Sequence, residues 1–469
     1  LVGVLLLNLP TKKVTSRVAL GFGLLCTAAL VAVMLLDSTQ FLTRESPLLW
    51  WLPVKVLFAD SLTYVMLLSI GLVGFTALML RGHDVYTEDQ GFVLNNVLIM
   101  TMIGMVGVVL SSDLFSLYIF IEVISVASCI MIAFEQKSEG VEGAFKYLMM
   151  SAVATVFMLV ALALVFLVCG SLGYSEVMAA VGTGAAHPLL MLAVTLYAVG
   201  VLAKAGLVPF HGWLPDTYSS APNAVSVLLA GIITKSTGVY ALIRVLGYVF
   251  QIGYDKPLGK ALVFIGVVSL LVGALAAMTQ KDMKRMLAYS SISQIGYIIL
   301  GLGVGTPIGL AGAVLHLFNH SLFKTLLFVN AAAVESQTGT RNMNQLGGLA
   351  SKMPVTGLTS VIGALSLAGV PPLSGFWSKL ILAVALYKVG ALSAMVIMIL
   401  ASTLTLGYLL HMQRSVFFGK LRKELGDIRE ASAWYLIPSI LLAIITVVLG
   451  IGMPWFFETI LVPIRSILL

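Results

Sequence analysis

The sequence predicts an all-α polytopic membrane protein, and two observations carry that expectation. Of 469 residues, 59% are hydrophobic and only 10% charged, with a mean hydropathy of +1.05; a soluble fold of this composition would be nearly as apolar outside as inside. The apolar residues also come in runs of roughly 18 to 28, long enough to cross about 30 Å of hydrocarbon as helices, whereas barrel strands would alternate in polarity over about 10 residues.

Taken in order, the runs fall at 1–8, 18–36, 59–80, 92–111, 113–134, 145–169, 188–209, 222–250, 258–279, 286–303, 307–334, 354–386, 391–412 and 434–456. That is about 14 spans. The first reads as the tail of a spanning helix, because the chain starts at Leu1 inside an apolar stretch and shows no cleavable signal pattern. Polar turns as short as Ser111 to Asp113 and Gly303 to Pro307 separate neighbouring runs. If the spans alternate, one set of loops holds 15 of the loop lysines and arginines, among them Arg81, Lys137, Lys284 and Arg341, and the other holds 7, among them Arg244 and Lys256. The richer side is expected to be cytoplasmic, with both chain ends outside.

Two runs contain nearly the same helix-breaking phrase: Ala205-Gly206-Leu-Val-Pro209-Phe-His-Gly212-Trp213 and Ala368-Gly369-Val-Pro371-Pro372-Leu-Ser-Gly375-Phe-Trp377. Proline removes a backbone donor, so each run should be a discontinuous helix whose freed groups face ions or water. Paired interruptions of this kind point to a transport path near the midplane.

The chemistry sits in charges placed where charge is costly. Lys146, Lys204, Lys235, Lys324, Lys379 and Glu122 lie within apolar runs, and because an ionisable side chain there costs about 3 kcal/mol or more, such residues are rare unless they have a function. His316, His320 and Lys324 recur every four residues, which aligns them on one helix face at about 6 Å of rise per step. That face suits a relay, because histidine exchanges protons near neutrality. A metal site would need further ligands than this HxxxH pair supplies. Lys146, at the start of its run, is read as snorkelling to the interface, Asp60 and Asp113 as helix caps, and Asp216, Lys281, Asp282, Lys284 and Arg285 as loop or interface residues. Cys26, Cys129 and Cys169 form no CxxC pair, so no iron–sulfur or zinc ligands are expected in this chain. The net charge of +7 is spread over loops, and no basic, aromatic-studded domain exists for nucleic acid.

Six strings resemble the antiporter-type subunits of respiratory complex I, membrane-bound hydrogenases and Mrp-type cation/proton antiporters: SSDLFSLYIFIEVISVAS (111–128), VLAKAGLVPFHGWLPD (201–216), SAPNAVSVLLAGIITKSTGVYALIR (220–244), QKDMKRMLAYSSISQIGYIILGLG (280–303), HLFNHSLFKTLLF (316–328) and GVPPLSGFWSK (369–379). They stand in the family's order across most of residues 90 to 390. The resemblance implies 14 helices with two inverted five-helix repeats: N-terminal helices in 1–91, a first repeat in 92–250, a second in 258–412, and a cytoplasmic loop with a last helix in 413–469. By motif it implies a proton pathway of Glu122, Lys204, Lys235, His316, His320, Lys324 and Lys379, with lysine at the last position where some members have glutamate. It also implies that Lys204 meets Glu122, whose charge would hold the lysine protonated until the pair separates or its hydration changes.

The function so expected is that of a proton-translocating membrane-arm subunit of a complex I-like, redox-driven pump, such as a membrane-bound hydrogenase or an NADH- or ferredoxin-linked oxidoreductase. The alternative is a subunit of an Mrp-type sodium/proton antiporter without redox chemistry. Either reading places the chain in a prokaryotic cytoplasmic membrane within a hetero-oligomeric complex. No cofactor is expected in this chain. Iron–sulfur clusters would belong to peripheral redox subunits, and the transported ions would be protons, with sodium in the second reading.

Overall fold

The computed structural model describes residues 20–21, 23–29, 60–84, 86–182 and 188–453. The run at 1–8, most of 18–36, the basic residues Lys12, Lys13, Arg17, Arg44, Lys55 and Arg465, and both ends of the chain lie outside the described residues. Every later run has become helix, and no strand occurs among the described residues.

The helices are α1 (Ser61–His83), α2 (Glu88–Leu110), α3 (Leu114–Ile132), α4 (Ser138–Cys169), α5 (Tyr174–Gly182), α6 (Pro188–Lys204), α7 (Trp213–Ser220), α8 (Asn223–Val249), α9 (Pro257–Met278), α10 (Met283–Val304), α11 (Pro307–Thr338), α12 (Pro354–Ala368), α13 (Ser374–Lys388), α14 (Leu392–Val416) and α15 (Ala433–Ile451). Ten of these are long and apolar enough to cross a membrane, namely α1 to α4, α8 to α11, α14 and α15, among the described residues. Both repeated phrases interrupt helices as their prolines predict: α6 stops at Lys204 and α7 starts at Trp213, while α12 stops at Ala368 and α13 starts at Ser374. The short helices α5 and α7 lie outside the apolar runs.

Local chemistry sets the ends. Asp60 accepts from Thr63 N at 2.8 Å, Asp113 from Ser116 N at 2.7 Å and Asp282 from Arg285 N at 2.9 Å, each satisfying an orphan donor of a first turn. Pro257 and Pro307 open α9 and α11, where no N–H is needed.

The architecture is a centre within a ring. Helices α8, α10 and α11 are buried along nearly their whole length, and α1 largely so, whereas α4, α14 and α15 each keep an apolar face outward, carrying for example Phe145, Val156, Leu167, Ile399 and Val448. The central helices α8, α10 and α11 are also the least apolar of the ten, with a mean hydropathy of 1.5, 1.4 and 1.2 against 2.9 for α4, because polar side chains in a membrane bundle face its interior and not lipid. Glycines spaced by seven, Gly259, Gly266 and Gly273, let α9 approach α10 closely: a β-carbon on Gly266 would lie 3.0 Å from Gly296 O, and one on Gly273 would lie 2.5 Å from Ser293 N. Within α8 the turns widen at Leu229–Ile233, Lys235–Tyr240 and Ile243–Val249, a form of helix that often marks functional positions.

Two residues expected in loops are instead buried within helices. Arg244 is no loop residue: it lies inside α8, with its side chain 1% exposed against 6% for Asp60, and donates to both Asp60 carboxylate oxygens at 2.6 and 2.8 Å. Asp60 therefore caps α1 and also ties it to α8. Lys284 is likewise buried in α10, with bonds to Asn223 Oδ1 at 2.5 Å and Glu335 Oε2 at 2.8 Å.

Removing one member of a buried, bidentate pair strands the other charge, so Asp60→Ala should lower stability by about 3–5 kcal/mol. Lys137→Ala, at the exposed pair with Glu135 (2.7 Å), should change it by less than about 1 kcal/mol. Unfolding of the purified chain in detergent measures both, and equal effects would contradict the structural role of the Asp60–Arg244 pair.

Candidate functional site

The first break places Lys204 at the last position of α6, where Gly206 (φ +69°) turns the chain away. Its Nζ donates to Glu122 Oε1 at 2.9 Å, Ser125 Oγ at 2.9 Å and Ser151 Oγ at 2.8 Å. Glu122 and Ser125 are one turn apart on α3, and Ser151 and Thr155 one turn apart on α4, so two helix faces converge on the amine. Thr155 Oγ1 donates to the same carboxylate oxygen at 2.7 Å. The lysine side chain is 4% exposed and the glutamate 28%, which sets the pair at the edge of the bundle. Beside it is a small cavity lined by Tyr147, Ser151, Lys204, Trp213 and Thr237, the last of these on α8.

The central helices supply the middle of the row. On α8, Lys235 is fully buried and donates to Ala230 O, five residues back in a widened turn. On α11, Lys324 is equally buried and donates to Leu287 O of α10 at 2.8 Å and to Ser290 Oγ. His320 lies in the field of both lysines, and neither of its ring nitrogens has a protein hydrogen-bond partner. The His316 and His320 rings are 6.4 Å apart and nearly parallel, as a four-residue spacing requires. His316 Nδ1 meets Ser378 Oγ of α13 at 2.9 Å, and its Nε2 is unpartnered.

At the second break, proline supplies the lysine's acceptors. In a helix, the carbonyls of Leu367 and Ala368 would accept from the N–H groups of residues 371 and 372, but both are proline and have none. Lys379 Nζ takes those two carbonyls instead, at 2.9 and 3.0 Å, together with Ser402 Oγ at 3.0 Å. They also lie at the C-terminal, negative end of α12. Gly369 adopts φ +84°, and a β-carbon there would lie 2.9 Å from Lys379 Cδ, so both conformation and space require glycine. Lys379 joins no ion pair among the described residues.

The seven residues singled out by sequence thus fall into three groups. Glu122 and Lys204 pair directly; Lys235, His320 and Lys324 gather where α8, α10 and α11 meet; and His316 reaches α13, the helix that carries Lys379. Lys146 lies near the start of α4 with its side chain 40% exposed. It pairs with Glu142 and with Asp216, each at 2.6 Å, and Asp216 also holds Arg285 at 2.5 Å, which ties α7 to α4 and α10.

A charged belt at one end of the bundle escaped sequence reasoning. Arg341 reaches Asp282 at 3.1 Å and Glu335 at 3.6 Å, Glu335 pairs with Lys284, and Tyr86 donates to Glu135 at 3.0 Å. In the α1–α2 turn, burial pushes the Asp84 carboxyl up to about 7, with the nearby Arg81 opposing and Glu135 reinforcing the shift. Only the length of α11, which puts Glu335 eleven residues beyond Lys324 and on nearly the same face, offered a signal for any of this.

A carboxyl that holds its proton more tightly when folded contributes stability that is complete below its ordinary value of about 4. That contribution is lost as pH rises through about 7. Thermal stability in detergent should therefore fall between about pH 4 and about pH 7, and Asp84→Asn should flatten that slope. Parallel curves for the two proteins would refute the assignment.

A profile of the family described as "NADH:quinone oxidoreductase/Mrp antiporter, TM" matches residues 111–405. The chain is 32% identical over 455 residues to NADH-quinone oxidoreductase subunit N of Desulforudis audaxviator, covering 92% of this chain and 90% of that one. It is 29% identical over 404 residues to a Na(+)/H(+) antiporter subunit of Alkalihalophilus pseudofirmus, covering 86% and 81%. Its fold matches a chain of the membrane-bound sulfane sulfur reductase, an archaeal respiratory membrane complex, with a TM-score of 0.85 at 27% identity, covering 96% of this chain and 74% of that one.

Proposed function

The chain belongs to the NADH:quinone oxidoreductase/Mrp antiporter transmembrane family, and from that premise we propose that it carries protons along the row of buried amines and imidazoles. It is an antiporter-like membrane subunit of the kind found in complex I, Mrp and sulfane-sulfur-reductase complexes. The observation that carries the proposal is the contrast between its ends: Lys204 is charge-paired with Glu122, whereas Lys379 donates to two carbonyls and a hydroxyl and joins no ion pair among the described residues.

In this reading Glu122 keeps Lys204 protonated, and separation of the pair or a change in its hydration releases the proton inward. Lys235, His320, Lys324 and His316 pass it on, with water joining the unpartnered imidazole nitrogens. Lys379 is the terminal station. Two five-helix units frame the path, within 92–250 and 258–412 and between the flanking segments 1–91 and 413–469. The succession of helix, helix, 32-residue helix, broken helix and long helix from α2 to α8 recurs from α9 to α14, which supports their being repeats.

Two ways of driving this path suit the chain. The relation to the NADH-quinone oxidoreductase subunit and the fold of the sulfane sulfur reductase favour a redox-driven complex; in that reading iron–sulfur clusters would belong to peripheral partners. The relation to the Na(+)/H(+) antiporter subunit of Alkalihalophilus pseudofirmus favours a sodium/proton antiporter, which in this reading would need no redox subunits. Purification of the intact complex from its native membrane, followed by identification of its subunits, decides between them: cluster-bearing partners establish the first drive and their absence the second.

Glu122→Gln, Lys204→Ala and Lys379→Ala should each cut proton transport in reconstituted vesicles by roughly 100-fold, the scale of a lost proton-transfer group, while the complex still assembles. His316→Ala should cost less, about threefold, because water can bridge the gap. Unchanged transport in the first three variants would eliminate this path.

A further inference from the structure

Tyr297 of α10 is fully buried, and its ring adjoins both stations at the far end of the row. The ring centroid lies 4.7 Å from Lys379 Nζ and 5.4 Å from the His316 ring. Its hydroxyl donates to Met398 O of α14 at 3.1 Å, which anchors the ring through its edge. The rest of the ammonium's surroundings are two proline-freed carbonyls and Ser402. A π face attracts a cation most strongly where the cation is shielded from bulk solvent and no carboxylate competes for it; Lys379 is only 7% exposed and joins no ion pair among the described residues.

We propose that Tyr297 is a positioning residue of the path, its ring face holding the ammonium of Lys379 beside His316 so that the amine can accept a proton there. The proposal rests on the proton-path reading above. It assigns the work to the ring and not to the phenol: the hydroxyl is committed to α14, while the π face completes an ammonium site otherwise built of neutral acceptors. Ser378 strengthens the arrangement, because it neighbours Lys379 on α13 and fixes the His316 ring through Nδ1.

The test replaces Tyr297 in the intact complex by phenylalanine and then by phenylalanines carrying one, two and three ring fluorines. These substitutions keep the ring's shape while draining electron density from its face, which a purely structural role would not sense. Tyr297→Phe should transport protons at close to the native rate, and the fluorinated series should fall stepwise, about tenfold from first to last, at constant yield of assembled complex. A flat series, or Tyr297→Phe as poor as Tyr297→Leu, overturns the proposal. Lys379→Ala, run alongside, separates the two claims. If it abolishes transport while the series is flat, only the role of the ring fails; if it leaves transport intact, both claims fail.

Discussion

An ammonium group inside a bilayer must find oxygen acceptors, and an unbroken helix offers few, because each interior carbonyl already accepts from the N–H four residues on and has only its second lone pair to share. The placement of the buried lysines follows from that constraint. Lys379 sits where consecutive prolines release two carbonyls at the end of α12, Lys235 sits in a widened turn of α8, and Lys324 reaches a carbonyl and a serine across the α10–α11 contact. The helix breaks and the titratable groups are thus one device. Proline and glycine interrupt the backbone where a charge has to be solvated, and the charge in turn satisfies groups that would otherwise be orphaned.

Lys204 is the exception, and its difference carries meaning. It has a carboxylate partner and two serines, and the pair stands at the edge of the bundle with the glutamate partly exposed. An ion pair at an outer face can be altered by whatever packs against that face, whereas an amine held by fixed backbone carbonyls in the interior responds mainly to its neighbours along the row. The arrangement therefore combines a station open to outside influence with stations whose surroundings are rigid.

Rigidity comes from the centre and is reinforced at both ends of it. The Asp60–Arg244 pair ties α1 to α8, and the belt of Lys284, Glu335, Arg341 and Asp282 ties α10, α11 and the segment after it. Asp216, which holds Lys146 on one side and Arg285 on the other, ties the detached half of the first broken helix to its neighbours. None of these belongs to the row of amines, and together they keep α8, α10 and α11 in register, which a relay across three helices requires.

Much of this was legible in the chain, for reasons that are local. Run length and hydropathy marked each helix from α1 onward except the short α5 and α7, and the repeated Gly-Pro phrases marked both interruptions, because helix breaking depends only on the residue and its near neighbours. The four-residue spacing of His316, His320 and Lys324 determined that they share a face, and charge cost alone picked out Lys204, Lys235 and Lys379. The same rules misplaced Arg244 and Lys284, since a charge near the end of an apolar run has the same pattern whether it enters water or meets a buried partner. Which oxygen each amine meets was decided only by tertiary structure, as was the contact of Tyr297 with Lys379. Those contacts join helices dozens of residues apart, and no periodicity along one helix specifies the side chain that faces it from another.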